Sequence, residues 1–97
     1  MTDSARIDLW LWQARFFKTR AMAGAFVAAG RVRRIRGGVE SRPDKGSRSV
    51  RPGDQLVFVL GARIVDIEVL ALAERRGPAA EARTLYAPVS GEVSGEA

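Results

Sequence analysis

Apolar residues recur at Ile7, Trp10, Leu11, Ala14 and Phe17, the spacing of a helix face turned toward a core. Leu9, Trp12 and Phe16 add a second apolar line, so this helix should be covered on two sides, leaving Arg6, Asp8, Gln13 and Arg15 as its solvent positions. Asp3 or Ser4 is placed to cap it. Lys18-Thr19-Arg20 interrupts the pattern, and Thr19 is suited to be the N-cap of a second helix from about Arg20 to Ala29. Met22, Phe26 and Val27 form its packing face, while Ala23, Ala25 and Ala29 are small enough to let two helices approach closely. Gly30 supplies the stop, because a residue just past a helix end often needs a left-handed backbone.

Beyond Gly30 the period changes. Val32 and Ile35 predict a short strand, Gly37-Gly38 a turn and Val39 the returning strand. Glu40 to Ser49 is polar and contains Pro43 and Gly46, which reads as a loop. Val50-Arg51-Pro52-Gly53-Asp54 is a tight turn leading into a strand over Gln55 to Leu60, and after Gly61-Ala62-Arg63 the segment Ile64 to Leu70 alternates as a half-buried strand does. Arg75-Arg76-Gly77-Pro78 breaks the chain. A short terminal helix is predicted from Ala79 to Tyr86, with Leu85 and Tyr86 docking back, followed by a frayed tail over Ala87 to Ala97. No internal repeat is visible.

The 97 residues allow one domain with a modest core. Apolar residues at 46% and charged residues at 28% are the balance of a globular domain rather than a disordered chain. Cysteine and histidine are both absent. That removes disulfides, thiolate metal cages, most zinc chemistry, and the Ser-His-Asp and Cys-His arrangements. No catalytic residue, metal site or cofactor is expected. The opening residues lack the basic region and apolar stretch of a secretory signal, and no apolar run approaches the roughly 18 residues of a membrane span. A cytoplasmic location without membrane contact follows as the expectation.

Charge divides the chain. The net charge is +5, with +8 carried by residues 1 to 52 and −3 by residues 53 to 97, and arginine outnumbers lysine 14 to 2. Guanidinium groups bind phosphate through a planar fork and stack on bases, which suits nucleic acid. A GC-rich genome accounts for arginine over lysine but not for the polarity of charge along the chain. Arg15, Lys18 and Arg20 lie at the helix junction, Arg31 and Arg33 follow the second helix, and Lys45 and Arg48 lie in the next loop. Folded side by side, they form one basic face in front of the apolar stripes, as a phosphate backbone requires.

These residues also carry a resemblance. Arg6-Ile7-Asp8 with Trp10-Leu11-Trp12, then Ala14-Arg15-Phe16-Phe17-Lys18-Thr19-Arg20, then Ala23, Val27 and Gly30-Arg31-Val32-Arg33, is similar to the opening of the S4-like RNA-binding domain. Lys45-Gly46-Ser47-Arg48 and Val50-Arg51-Pro52-Gly53-Asp54 continue the pattern in order, and Glu74-Arg75-Arg76-Gly77-Pro78-Ala79 with Glu81-Ala82 resembles the stand-alone bacterial heat-shock members of that superfamily. The likeness covers residues 6 to 86. It implies an α+β, αL-type S4-like fold with two N-terminal helices on a small, mainly antiparallel sheet and a short C-terminal helix. It further implies an S4-like domain over residues 4–73 and a C-terminal extension over 74–97 with a short helix and flexible tail. Arg6, Arg15, Lys18, Thr19, Arg20, Arg31, Arg33, Lys45, Ser47 and Arg48 are then the residues that contact RNA. For the heat-shock members the implied partner is large-subunit ribosomal RNA in subunits still carrying a nascent chain, with a stress or recycling role. The chain departs from that subgroup at Leu9, where a lysine is usual, at the longer hairpin Arg34-Ile35-Arg36-Gly37-Gly38, and at Gly46, where a proline is usual. It also lacks a lysine-rich extension.

The reading is therefore a noncatalytic, monomeric protein that binds structured RNA and can also bind DNA in vitro. Asp8 is read as structural, Trp10 and Trp12 as core, and Gly37-Gly38 as a turn because no Lys-Ser/Thr follows it. Arg34 and Arg36 are equally suited to RNA contact and to keeping an edge strand soluble. Arg75 and Arg76 are at least as suited to pairing with Glu74 or Glu81. Similar modules are appended to RNA-modifying enzymes, but this chain is too short to hold their catalytic domains. The alternative is a protein-interaction module using the apolar faces of the first helix. If the arginines form one RNA-binding face, Arg20→Glu with Arg33→Glu should abolish RNA binding in a titration and leave the circular dichroism spectrum unchanged.

Overall fold

Helix starts and stops explain the architecture of this protein, seen in a computed structural model that describes residues 3–89. Strand β1 (Ala5–Arg6) leads directly into α1 (Ile7–Gln13), and α2 (Arg20–Ala28) follows. Strands β2 (Arg33–Arg36), β3 (Val39–Ser41), β4 (Ser49–Val50), β5 (Gln55–Leu60) and β6 (Arg63–Val69) come next, then α3 (Ala79–Ala82), a 3-10 turn over Arg83–Leu85, and β7 (Tyr86–Pro88).

Neither Asp3 nor Ser4 caps α1. The N-cap position is Arg6, with no side-chain cap bond. The first free N–H groups of the helix are taken instead by a loop: Ile7 N–H donates to the Arg48 carbonyl at 2.7 Å and Asp8 N–H to the Gly46 carbonyl at 3.1 Å. These bonds satisfy donors that every helix leaves open at its start. Pairing of Ala5 with Val50 and Arg6 with Ser49 holds the loop in place.

Helix α1 is shorter than its apolar pattern. Arg15 adopts φ 68°, and the chain closes with Arg15 N–H donating to the Trp12 carbonyl and Phe16 N–H to the Leu11 carbonyl. Those two bonds define a Schellman stop, with arginine where glycine is usual. Phe16 and Phe17 still reach the core, because the connector folds back and stacks them near Phe58, Phe26 and Tyr86. Helix α2 behaves as its sequence predicts: the Thr19 hydroxyl accepts the Met22 N–H at 3.0 Å, and Gly30 turns left-handed at φ 75°. Met22, however, is 51% exposed, so the packing face reduces to Ala23 and Val27, with Phe26 half-buried.

Strands order as β3-β2-β5-β6-β7 in one antiparallel sheet, and β1-β4 form a small second one. Leu56 and Phe58 on β5 and Val65, Ile67 and Val69 on β6 point to the helices, alternating with Val57, Val59 and Ile64 on the outer face. Ile7, Trp10 and Leu11 are fully buried with Val27, Val32, Val50, Leu56 and Val69. The Trp10 indole donates to the Ala71 carbonyl at 2.9 Å, so its one polar atom is satisfied inside the core. The line of α1 formed by Ile7, Trp10 and Leu11 is thus packed, while Leu9 and Trp12 of the second apolar line stay half-buried.

Three further expectations are corrected. Asp8 and Gln13 are buried rather than solvent-facing. The loop expected over Glu40 to Ser49 is narrower, since Glu40, Ser41 and Ser49 lie in strands. The terminal helix, expected to run to Tyr86, is α-helical only to Ala82 and tightens into the 3-10 turn over Arg83–Leu85, and Tyr86 is extended, because it joins the open edge of β6. Tyr86 pairs with Val69 there, and Val89 N–H reaches the Asp66 carbonyl at 3.1 Å. Most of the tail expected to fray, Ser90 to Ala97, lies outside the described residues.

Asp54 organises the turn before β5. It is 2% exposed and receives Arg36 as a fork, Nε and Nη2 each at 2.8 Å, while Arg51 N–H adds a third bond at 2.9 Å. Removing one member of a buried, hydrogen-bonded ion pair leaves the other uncompensated. Asp54→Ala should therefore lower the unfolding free energy by ~3 kcal/mol in a denaturant titration.

Candidate nucleic-acid interface

Asp8 is the point on which the cationic segments meet. Arg6 forks onto it, Nε to Oδ1 at 3.1 Å and Nη2 to Oδ2 at 2.9 Å, and Arg20 approaches Oδ1 to 3.6 Å. Gly46 lies so close that a Cβ there would stand 2.6 Å from Asp8 Oδ2 and 2.9 Å from its Cβ, and a Cβ on Gly24 would stand 3.6 Å from Oδ2. One buried carboxylate thus draws together the start of α1, the first turns of α2 and the loop of residues 44 to 48. Gly46 is the residue whose lack of a side chain permits this approach.

Of the ten residues the sequence singled out, seven belong to these segments: Arg6, Lys18, Thr19, Arg20, Lys45, Ser47 and Arg48. Lys18, Lys45 and Ser47 are exposed, and neither lysine pairs with a carboxylate among the described residues. Arg48 pairs with Asp44 at 3.1 Å. Thr19 spends its hydroxyl on the helix cap. Arg31 and Arg33 lie past the other end of α2, a helix of 9 residues and so about 13 Å long. There Arg31 covers the Phe26 ring at 4.9 Å, Arg33 approaches Glu40 to 3.5 Å, and Arg42 donates to the Gly30 carbonyl at 2.8 Å. Val59 and Ile64 floor the groove between them. Arg15 stands apart, with Nε donating to the Gly77 carbonyl at 2.9 Å. The ten therefore form a main cluster around Asp8, a smaller cluster past α2, and one residue tied to the C-terminal segment.

Several arginines hold the fold together. Arg36 belongs to Asp54, Arg34 donates to the Ser49 carbonyl at 2.6 Å, and Arg75 pairs with Glu81 at 3.5 Å. Arg76 pairs with no acid among the described residues. It donates to the Trp12 carbonyl at 3.0 Å and the Phe17 carbonyl at 3.4 Å and lies over the Trp12 ring at 5.2 Å. Sequence reasoning missed Arg42 and Arg51 as exposed members of the basic surface. Their proximity to Gly30 and to β4 depends on long-range folding, although the surplus of arginine before residue 52 was the available signal.

Two forces act on the Asp8 carboxyl. Burial pushes it up, but the Arg6 hydrogen bonds, the Leu9 N–H and the charges of Arg6 and Arg20 outweigh that and hold it below the usual carboxylate value. A carboxyl depressed on folding stabilises the protein above its unfolded pKa, and that contribution disappears as pH falls through its folded value. Asp8→Asn should therefore flatten the fall in stability below about pH 4, measured as thermal midpoint against pH. Gly46→Ala, which forces a side chain against Asp8, should cost about 1–3 kcal/mol in chemical denaturation.

No family model matches the chain. It is 37% identical over 81 residues to the Heat shock protein 15 homolog of Haemophilus influenzae, covering 84% of this chain and 58% of that protein. With Heat shock protein 15 of Escherichia coli K12 the identity is 40% over 81 residues, covering 84% and 57%. The chain thus spans less than two thirds of the length of these relatives. The solved structure of Vibrio cholerae Heat Shock Protein 15, described as trimeric, superposes with a TM-score of 0.76 at 34% identity over 90% of this chain and 83% of that one. The α+β S4-like fold and the shared residues lead to one conclusion: the chain belongs to the heat shock protein 15 family.

Proposed function

We propose that this chain is a noncatalytic RNA-binding protein of the heat-shock response, acting in the cytoplasm on structured RNA of the large ribosomal subunit, where it serves stalled-subunit recycling. The observation that carries this reading is the cluster around Asp8. Lys18, Lys45, Ser47 and Arg48 project from segments whose backbones are fixed by Thr19, Gly46 and the loop carbonyls that start α1. A phosphate backbone needs such cations held in register more than it needs any one of them. Duplex DNA also presents phosphates, and some DNA binding in vitro belongs to the same reading. For a reading in which α1 recruits a protein, the packed Ile7, Trp10 and Leu11 leave only the half-buried Leu9 and Trp12, the latter lying under Arg76.

Arg20→Glu, expected from the sequence to leave the fold unchanged, is a poor probe, because it would set a second carboxylate against the buried Asp8. Lys18 and Lys45 are better, being exposed and free of acidic partners among the described residues. Lys18→Glu with Lys45→Glu should weaken binding to a structured fragment of large-subunit ribosomal RNA by at least about tenfold. It should also reduce the slope of log affinity against log salt by about 1.5, two phosphate contacts' worth. The far-ultraviolet circular dichroism should not change. Equal affinity for the ribosomal fragment and a duplex DNA competitor, or an unaltered slope in the double variant, would overturn the reading.

A further inference from the structure

Two guanidinium groups share one oxygen beside β4. Arg34 Nη1 donates to the Ser49 carbonyl at 2.6 Å, and Arg36 Nη2 reaches the same oxygen and the Ser49 hydroxyl at 3.5 Å each. The one buried acid nearby, Asp54, is already occupied by the Arg36 fork and the Arg51 N–H. Arg34 therefore has no carboxylate partner among the described residues, and its Nε is buried without any acceptor. Burial, then the charge of Arg36, lowers the Arg34 pKa, and Arg48 and Arg51 add to the repulsion. Four cations thus gather against two acids, Asp54 and the Asp44 that pairs with Arg48.

Such a surplus in a partly buried place is unfavourable unless an anion completes it. The geometry points to a phosphate-binding subsite formed by Arg34 and Arg36 beside Ser49, flanked along the chain by Arg48 and Arg51. A second carboxylate is the poorer occupant, because a carboxylate has two oxygens, and in Asp54 one guanidinium fork takes both of them and leaves room for a single further donor, the Arg51 N–H. A phosphate is tetrahedral and presents acceptors in several directions, so it can take N–H groups from more than one fork. Entry requires Arg34 to turn from the single carbonyl oxygen it now shares. Ser49 pairs with Arg6 across β1 and β4, which sets the subsite beside the Asp8 cluster.

The shared chemistry is a phosphate group, supplied either by the backbone of bound RNA or by a free phosphoanion. The RNA source rests on the proposed function, and the free anion does not. Titration of the whole chain with inorganic phosphate, against sodium chloride at matched ionic strength, should shift the Arg34 Nε–H resonance and raise the thermal midpoint. Arg34→Gln should remove both effects, weaken the ribosomal RNA fragment by about tenfold, and lower its salt slope by about 0.7 to 0.9. If Arg34→Gln does not fold, Arg51→Gln, at an exposed side chain, should reduce the same phosphate response. A phosphate response in a chain that does not bind RNA supports the free anion and sinks only the proposed function. Loss of RNA affinity in Arg34→Gln without a response to inorganic phosphate supports the RNA backbone as source. Identical effects of phosphate and chloride, together with unchanged RNA affinity and slope in the variants, would overturn the subsite.

Discussion

The start of α1 depends on borrowed acceptors. A helix that opens without a side-chain cap must find partners for its first N–H groups, and here the carbonyls of Gly46 and Arg48 provide them. The same contact seats Asp8 against a glycine, places Arg6 and Arg20 on its carboxylate, and fixes the loop that displays Lys45 and Ser47. Local helix chemistry and long-range placement of the basic residues are thus one interaction. An Asp3 or Ser4 cap would have satisfied the helix and left the loop free.

Acidic residues in this basic chain serve as anchors. Asp8 and Asp54 are both buried, and each is bound by an arginine fork. Each carboxylate ties together segments that are distant in sequence, so arginine here is divided between holding the fold and facing solvent. That division sets Arg36 and Arg76, which bind protein atoms, apart from Lys18 and Lys45, which do not pair with acids among the described residues. Arg34 falls between the two groups, bonded to a carbonyl and without a carboxylate partner among the described residues.

Periodicity revealed the strands β5 and β6, the Thr19 cap, the Gly30 stop and most of the buried set, because each depends on neighbours within a few positions. The S4-like α+β architecture was legible from the order of motifs. The end of α1 was not, since its apolar spacing continues to Phe17 while a left-handed Arg15 turns the backbone away. The burial of Asp8 and Gln13 was hidden for another reason: polar residues read as exposed until a loop or a C-terminal segment covers them. Strand β7 escaped notice because its pairing with β6 is a property of an open sheet edge, not of Tyr86-Ala87-Pro88 itself. Within the site, the folding of the segments around Asp8 and the separation of Arg31 and Arg33 from them by the length of α2 both depend on three-dimensional placement that spacing does not carry.

Arg76 grips the carbonyls of Trp12, in the last turn of α1, and Phe17, within the connector to α2, and Arg15 reaches back to Gly77. That connector is therefore measured from outside, like a span between two fixed posts. One added residue would have to bulge away or release a post, whereas the Gly37-Gly38 hairpin is open and unbraced at its tip. Tolerance to insertions should accordingly be uneven along the chain, with length varying at the hairpin and remaining constant between the helices.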